Sequence, residues 1–141
     1  AASMYSRMLA LTGVPQAMTN WLTGGNLGIT VFIIGILLIA IVLGTILDSS
    51  SIMLILVPLA LPVLATFGVN LIWFGILITV AIEIGLLTPP LGLSVYVIHA
   101  TLRDRTVSMN DVFMGTLPFA LVMLVVLAIL FLFPWFSVAL I

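Results

Sequence analysis

Long runs of uncharged, apolar residues constrain this chain more than any other feature. No charged side chain occurs between Arg7 and Asp48, between Asp48 and Glu83, between Glu83 and Arg103, or after Asp111. Each run is long enough for a helix to cross a bilayer, which takes about 20 residues. Charged residues make up 5% of this chain, against roughly 25% of a soluble domain. We therefore expect an all-α integral membrane protein that is covered largely by lipid.

The composition excludes several classes of function. The chain has no cysteine, so it has neither disulfides nor a thiolate metal site. One histidine, three arginines and no lysine leave no basic patch for nucleic acid. Phosphate-binding loops, a GxSxG elbow and HExxH are absent as well. We expect no enzyme activity and no cofactor. Because the chain starts without an initiator methionine, we expect a fragment of a longer transporter subunit.

Glycine, proline and polar clusters divide the first half of the chain into two predicted segments. Residues 1–27 contain the end of a preceding helix and a short interfacial helix, with Trp21 as a membrane-interface anchor. Residues 28–66 contain two apolar helices, 28–47 and 52–65, and the polar residues 48–51 separate them. Pro58 and Pro62 are expected to kink the second helix.

The second half of the chain contains an interrupted helix and a final one. In residues 70–103, helix 71–87 ends at Thr88-Pro89-Pro90, and a half-helix follows over 93–102. Residues 108–141 contain the C-terminal transmembrane helix, with an apolar span over 116–138. Ser108 and Asp111 have the spacing of an N-terminal capping box for this helix.

The arginines predict which side of the membrane each segment faces. Positive charge favours the cytoplasm, so the Arg103–Arg105 loop is predicted to be cytoplasmic and the C-terminus periplasmic. Residues 28–65 then enter and leave on one face, as a re-entrant hairpin with its tip at 48–51. If the serines form an exposed turn instead, the two helices cross in succession, which conflicts with cytoplasmic arginines.

The two interruptions, 48–51 and 87–92, are the candidate transport site. Non-helical backbone within a membrane persists only when it is buried in protein or lines a wet cavity. Paired interruptions are the best sequence indication of a transporter binding site. Helix carbonyl ends attract a cation such as Na⁺, and helix amide ends attract a carboxylate. A structural kink or an ordinary loop between helices is the alternative.

The candidate residues for sodium and substrate are small, hydroxyl-bearing or proline residues at these interruptions. They are Gly44, Asp48, Ser49, Ser50, Ser51, Gly85, Thr88, Pro89, Pro90 and Gly92. Na⁺ is predicted at Ser50, Thr88 and nearby backbone carbonyls. Ala40 and Gly44 form a small-xxx-small pair, which allows close helix packing.

Two acids outside the arginine loop are expected to be buried near the interruptions. Intramembrane carboxylates are costly and therefore usually functional. Asp48 has three possible roles: it ligates Na⁺, it caps the following helix, or it carries a proton. Glu83 either couples transport to protons or stabilises the structure, for instance at the hairpin tip. His99 is expected to face the membrane interface.

These residues resemble a known family, the large membrane subunit of tripartite ATP-independent periplasmic (TRAP) transporters. The resemblance covers nearly the whole chain and corresponds to the C-terminal third of that subunit. Its most specific part is the string Gly-Leu-Leu-Thr-Pro-Pro-Leu-Gly at residues 85–92. Residues 44–48, Pro58, Pro62, Gly68 and residues 74–75 also match. Ser49, Ser50 and Ser51 depart from the Ser-Asn-Thr-like tip of relatives, so backbone carbonyls are expected to provide more of the ligation.

The resemblance implies an architecture and a function. The chain would be one inverted repeat of an elevator-type transporter, with a re-entrant hairpin, a discontinuous helix and a closing helix. Family members are sodium-driven and reside in the bacterial inner membrane. They take up carboxylates, such as C4-dicarboxylates or sialic acid. Their partners are a small membrane subunit of the Q type and a periplasmic substrate-binding protein.

Two other functions are alternatives to this one. The first alternative is a segment of a standalone sodium/carboxylate symporter, which needs no binding protein. The second is a membrane scaffold subunit that transports nothing. A scaffold predicts that both interruptions are kinks on the lipid side, insensitive to Na⁺.

Overall fold

The computed structural model describes residues 4, 7, 8, 11–25, 28–89, 92–102 and 107–138. Within these ranges every regular element is helical, which confirms the all-α expectation. The helices are α1 (Val14–Gly24), α2 (Ile29–Gly44), α3 (Ser49–Thr66), α4 (Leu71–Leu87), α5 (Leu93–Thr101), α6 (Met109–Leu132) and α7 (Trp135–Val138). Pro90, Arg103 and Arg105 lie outside the described residues, so the predicted cytoplasmic loop stays a prediction.

Helix α4 is the centre of the fold. It packs most extensively against α2 and also contacts α3, α5, α6 and α7. Phe74, Leu77 and Ile78 on α4 are at most 1% exposed. The indole N–H of Trp73 donates to the carbonyl of Leu130 at 2.7 Å, which joins α4 to α6. Because α4 has neighbours on several sides, its hydrophobic residues are not confined to one stripe.

Local capping sets the start of α4. The chain leaves α3 through Gly68, whose φ of 65° is left-handed. The amide of Val69 donates to the carbonyl of Leu64, and that of Gly68 to Ala65, as in a Schellman motif. The Asn70 side chain then accepts from the amides of the first turn of α4. These signals give the predicted bounds of 71–87, which the structure confirms.

The predicted position of the hairpin tip is wrong by one turn. Helix α2 ends at Gly44 rather than at residue 47, and the three serines form the first turn of α3 instead of interrupting it. The cause is Asp48, whose carboxylate accepts from the Ser51 amide at 3.0 Å and so starts the helix at Ser49. The non-helical backbone between α2 and α3 therefore covers residues 45–48. Pro58 and Pro62 lie inside one continuous helix.

The final helix begins as predicted and ends early. Ser108 and Asp111 form the full capping box, with each side chain bonded to the other residue's amide. Helix α6 stops at Leu132, and the short α7 follows from Trp135. The predicted span to residue 138 is thus broken, because Pro134 has no amide to continue the helix.

Four of the helices form two pairs by length. Helices α3 and α6, with 18 and 24 residues, are long and apolar enough to cross a membrane. Helices α2 and α4 have 16 and 17 residues. At about 1.5 Å per residue they fall short of a hydrocarbon core of about 30 Å. The interruptions after α2 and α4 are therefore compatible with helix ends at membrane depth.

Candidate functional site at the two helix interruptions

The carboxyl ends of α2 and α4 meet at two glycines. A β-carbon added to Gly44 would lie 2.9 Å from the Cα of Gly85 and 2.9 Å from the carbonyl oxygen of Ile82. A β-carbon on Gly85 would lie 2.7 Å from the Cα of Gly44 and would overlap the carbonyl oxygen of Ile41. Only glycine at both positions allows this backbone contact, so the pair fixes the two interruptions next to each other.

A backbone hydrogen bond joins the interruptions directly. The Gly92 amide donates to the Thr45 carbonyl at 3.2 Å, across 47 positions of sequence (92 − 45). Gly92 has a φ of 49°, a left-handed conformation that glycine adopts without strain. A β-carbon there would lie 2.9 Å from the ring of Phe113 on α6. The start of α5 is thus held between the end of α2 and the first turns of α6.

A pocket of about 370 Å³ opens between the interruptions. Its lining comes from the start of α3, the end of α4 and the first half of α5: Asp48, Ser49, Leu86, Leu93, Ser94 and Ile98 are among these residues. Helix carbonyl ends carry partial negative charge and amide ends partial positive charge. The pocket therefore combines the amide ends of α3 and α5 with the carbonyl end of α4, and partial charges of both signs can attract a cation and a carboxylate.

The structure brings together some of the predicted site residues. Gly44, Gly85 and Gly92 form the backbone contacts of the junction, and Asp48 and Ser49 line its pocket. Ser50 is exposed and does not line this pocket.

The other predicted hydroxyls have local partners. The Ser51 hydroxyl donates to Asp48 at 2.6 Å. The Thr88 hydroxyl donates to the Ile84 carbonyl at 2.6 Å, within its own helix. The roles of Ser50, Ser51 and Thr88 in ion binding stay predictions. Each hydroxyl oxygen retains acceptor capacity for a cation.

Thr88 and Pro89 line a different pocket, of about 420 Å³, between the second interruption and α6. Asn110, Phe113 and Met114 line its α6 side. Its remaining walls are aliphatic, so its chemistry is mainly apolar. The two pockets thus lie against different neighbours of the same interruption, and Pro90, also predicted here, lies outside the described residues.

The expectation that both acids are buried within this chain is wrong. Asp48 is exposed, and both of its oxygens accept hydrogen bonds from Ser51, so its geometry is that of a helix cap. Glu83 is exposed as well and has no hydrogen bond or ion pair with any described residue. It does not line the pocket at the junction.

His99 lies near the end of α5, half buried. Its Nε2 is 3.2 Å from the carbonyl of Val107, so it bridges the two ends of the arginine loop. This contact places the histidine away from the pocket at the junction, which His99 does not line.

Sequence reasoning missed Thr45 and Ser94. Thr45 is 7% exposed and supplies the carbonyl that joins the interruptions. Ser94 is the second residue of α5 and contributes a hydroxyl to the pocket. The sequence signal for Ser94 is its position, because it lies in the first turn of a helix whose start is marked by Gly92. The Thr45 contact is long-range and has no local sequence signal.

Oxygen atoms are the available ligands at this site. No group of three or more His, Cys, Asp or Glu side chains forms a metal cluster within the described ranges. Hydroxyl and carbonyl oxygens are ligands that suit a hard monovalent cation.

Comparison with known proteins identifies the family. The family described as "Tripartite ATP-independent periplasmic transporter, DctM component" matches residues 1–136. The C4-dicarboxylate TRAP transporter large permease protein DctM of Rhodobacter capsulatus is 31% identical over 139 residues, which is 99% of this chain and 31% of that protein.

Other relatives give the same result. The DctM protein of Vibrio cholerae is 32% identical over 96% of this chain and 29% of its own length. The sialic acid TRAP transporter large permease protein SiaM of Vibrio cholerae is 28% identical over 98% of this chain and 32% of its own length. The chain thus spans about a third of these curated relatives. No solved structure matches it significantly. The chain belongs to the DctM component family of tripartite ATP-independent periplasmic transporters.

Proposed function

We propose that this chain supplies part of the ion and substrate site of a sodium-driven secondary transporter for carboxylates. The names of its relatives refer to C4-dicarboxylates and to sialic acid, both of which carry carboxylates. The observation that carries the proposal is the hydrogen bond from Gly92 to Thr45, because it joins the two interruptions into one junction. Four helix ends contribute to this junction.

In the proposed mechanism, Na⁺ binds oxygens at the junction and favours substrate binding beside it. Carbonyls at the ends of α2 and α4 supply partial negative charge, and hydroxyls such as those of Ser49, Ser50 and Thr88 are the candidate side-chain ligands. The amide ends of α3 and α5 face the substrate carboxylate. Because the charges of Na⁺ and the carboxylate offset each other, the free-energy cost of moving both through the membrane is lower.

The proposal includes the assembly. The permease acts in the bacterial inner membrane and moves its site by an elevator motion. It works with a small membrane subunit and a periplasmic binding protein that delivers the carboxylate. Residues 28–66 form a re-entrant hairpin, residues 70–103 a discontinuous helix, and residues 108–141 the closing segment. The short lengths of α2 and α4 support this arrangement.

Family membership argues against the two alternatives. The matched relatives are named TRAP transporter large permeases, which disfavours a standalone symporter. Those relatives are also named for substrates, which disfavours a scaffold that transports nothing.

The experiment is Na⁺-dependent uptake by the complete transporter in proteoliposomes, with its binding protein present. Ser49→Ala and Ser94→Ala alter the pocket, whereas Ser50→Ala and Thr88→Ala alter the ligands predicted from sequence. A hydrogen-bonding or ligating oxygen on a charged group contributes roughly 1.5–3 kcal/mol, so its loss raises the half-saturating Na⁺ concentration about tenfold or more.

Thr66→Ala is the control, because Thr66 lies at the opposite end of α3 from Ser49 and donates only to Pro62. We expect its Na⁺ dependence to equal that of the wild type. If all four site variants also behave like the wild type, the side chains at the junction do not bind the coupling ion.

A further inference from the structure

One face of α4 remains open although this helix is the centre of the fold. Thr79 and Glu83 on this face are exposed, and Gly75 one turn earlier is half exposed with open space beside it. These three residues, spaced four apart, define the open face of α4. The Thr79 hydroxyl donates to the Gly75 carbonyl at 2.8 Å, so its oxygen still has acceptor capacity.

Glu83 on this face needs a partner that residues 8–102 do not supply. They contain no arginine or lysine, and the single histidine, His99, contacts Val107. A carboxylate at membrane depth is costly unless it pairs with a cation or a donor. With Glu83 as acceptor and the Thr79 oxygen beside it on the same face, the open face complements a cationic side chain.

A contact elsewhere on α4 shows what the open face is suited to bind. On its buried side, Gly85 meets Gly44 of α2, and the buried Ala81 and Ala40 lie four positions earlier on their respective helices. Small residues at this spacing allow close approach of membrane helices. Gly75 and Thr79 repeat the spacing on the open face.

By contrast, Gly35 on α2 is equally open, but the residues four positions away, Val31 and Ile39, are large, apolar and about half exposed. A surface of this kind suits lipid. Gly75 on α4 and Gly35 on α2 are thus both open, but only Gly75 has polar residues on the same face.

We propose that the open face of α4 packs against a membrane helix of the assembled permease that lies outside residues 1–141. This helix places an arginine or lysine beside Glu83. The relatives extend over about three times the length matched here, so such a helix has a source in proteins of this family. The proposal concerns an interface and does not depend on sodium coupling.

The experiment uses the complete permease in native membranes, with a photo-reactive benzoylphenylalanine in place of Thr79. We expect cross-links to a peptide outside residues 1–141 that contains an intramembrane arginine or lysine. The same probe in place of Ile39 should label mainly lipid. Glu83→Lys should reduce the cross-link at position 79 by roughly three- to thirtyfold, the range for one interhelical hydrogen bond. Reversing the charge of the identified cation should restore it.

If Glu83→Lys prevents folding, a second pair of variants tests the same interface. Gly75→Leu should disrupt the contact and reduce the yield of folded permease, whereas Gly35→Leu should not. The proposal fails if position 79 labels only lipid, or if suppressors of Glu83→Lys map to Arg7, Arg103 or Arg105. It also fails if Glu83→Cys reacts freely with a water-soluble thiol reagent. Because cross-linking requires no uptake, these outcomes are independent of whether the proposed transport activity is found.

Discussion

At the scale of the residue, Asp48 shows how one side chain sets the geometry of the site. Its two oxygens accept from the amide and the hydroxyl of Ser51, and this starts α3 one turn earlier than the polar pattern suggests. The adjacent Ser49 is thereby placed at a helix amide end, inside the pocket. Of the three roles left open by the sequence, the geometry supports the helix cap directly, whereas Na⁺ ligation and proton transfer stay predictions.

The cap can be separated from ion binding by replacement with asparagine. Asn caps helices about as well as Asp, whereas Ala costs about 1 kcal/mol. We expect Asp48→Asn in the complete permease to keep the wild-type melting temperature and Na⁺-dependent uptake, and Asp48→Ala to lower the melting temperature. An Asn variant that melts normally but loses its Na⁺ dependence would show that the carboxylate ligates the ion or carries a proton.

At the scale of the element, the crossing of α2 and α4 holds the two interruptions together. Backbone meets backbone at Gly44 and Gly85, with buried Ala40 and Ala81 one turn earlier on each helix. The small-xxx-small pair predicted on α2 is thus a close helix contact, as expected. Its partner on α4 lies directly before the Thr88 interruption, so packing at this crossing also sets the position of the candidate site.

Two glycines of the same helix give a matched test of this crossing. In Gly44→Ala the new methyl group meets backbone atoms of α4, and overpacking of this kind costs roughly 1–3 kcal/mol. Gly35→Ala, also on α2, meets nothing within 4 Å. We expect thermal unfolding of the purified permease to show a lower melting temperature for Gly44→Ala alone. Equal melting temperatures for the two variants would contradict the close crossing.

The elements themselves were predictable to different degrees. The bounds of α4 followed from strong local signals, since Asn70 caps its start and Thr88-Pro89 ends it. The serine run does not show by itself where α3 begins, because serine is common both in turns and in first helical turns, and only the cap decides between them. The break at Pro134 is hard to predict, because apolar residues continue on both sides of it.

At the scale of the whole molecule, the site is a convergence of helix ends. Helix α4 contributes its carbonyl end and helices α3 and α5 their amide ends to one pocket, and the end of α2 lies at the start of α5. The hydrogen bond from Gly92 to Thr45 closes this arrangement, and α6 supports it through Phe113. The site needs few formal charges to attract an ion and a carboxylate, because helix-end dipoles supply partial charges of both signs.

Accessibility tests this arrangement in the intact transporter. Residues 1–141 contain no cysteine, so Ser49→Cys and Ser94→Cys would be the only thiols they contribute. We expect both to react with a water-soluble thiol reagent and to react about tenfold more slowly when Na⁺ is present at about ten times its dissociation constant. Ile39→Cys, on the exposed apolar face of α2, should stay unreactive. Rates that are insensitive to Na⁺ would favour the scaffold interpretation.

The sequence by itself determined the class of protein and the presence of both interruptions, the first of them to within one turn. The features that carry this are the absence of charge, the placement of prolines and the string at residues 85–92. They are local properties, so the sequence shows them directly. The tertiary structure alone decided that Thr45 bonds to Gly92, that Gly44 meets Gly85, and that Ser94 rather than Ser50 lines the pocket. It also decided that Glu83 faces outward. These features depend on contacts between helices far apart in sequence, and hydrophobicity that is nearly uniform around a membrane helix does not show which face each neighbour covers.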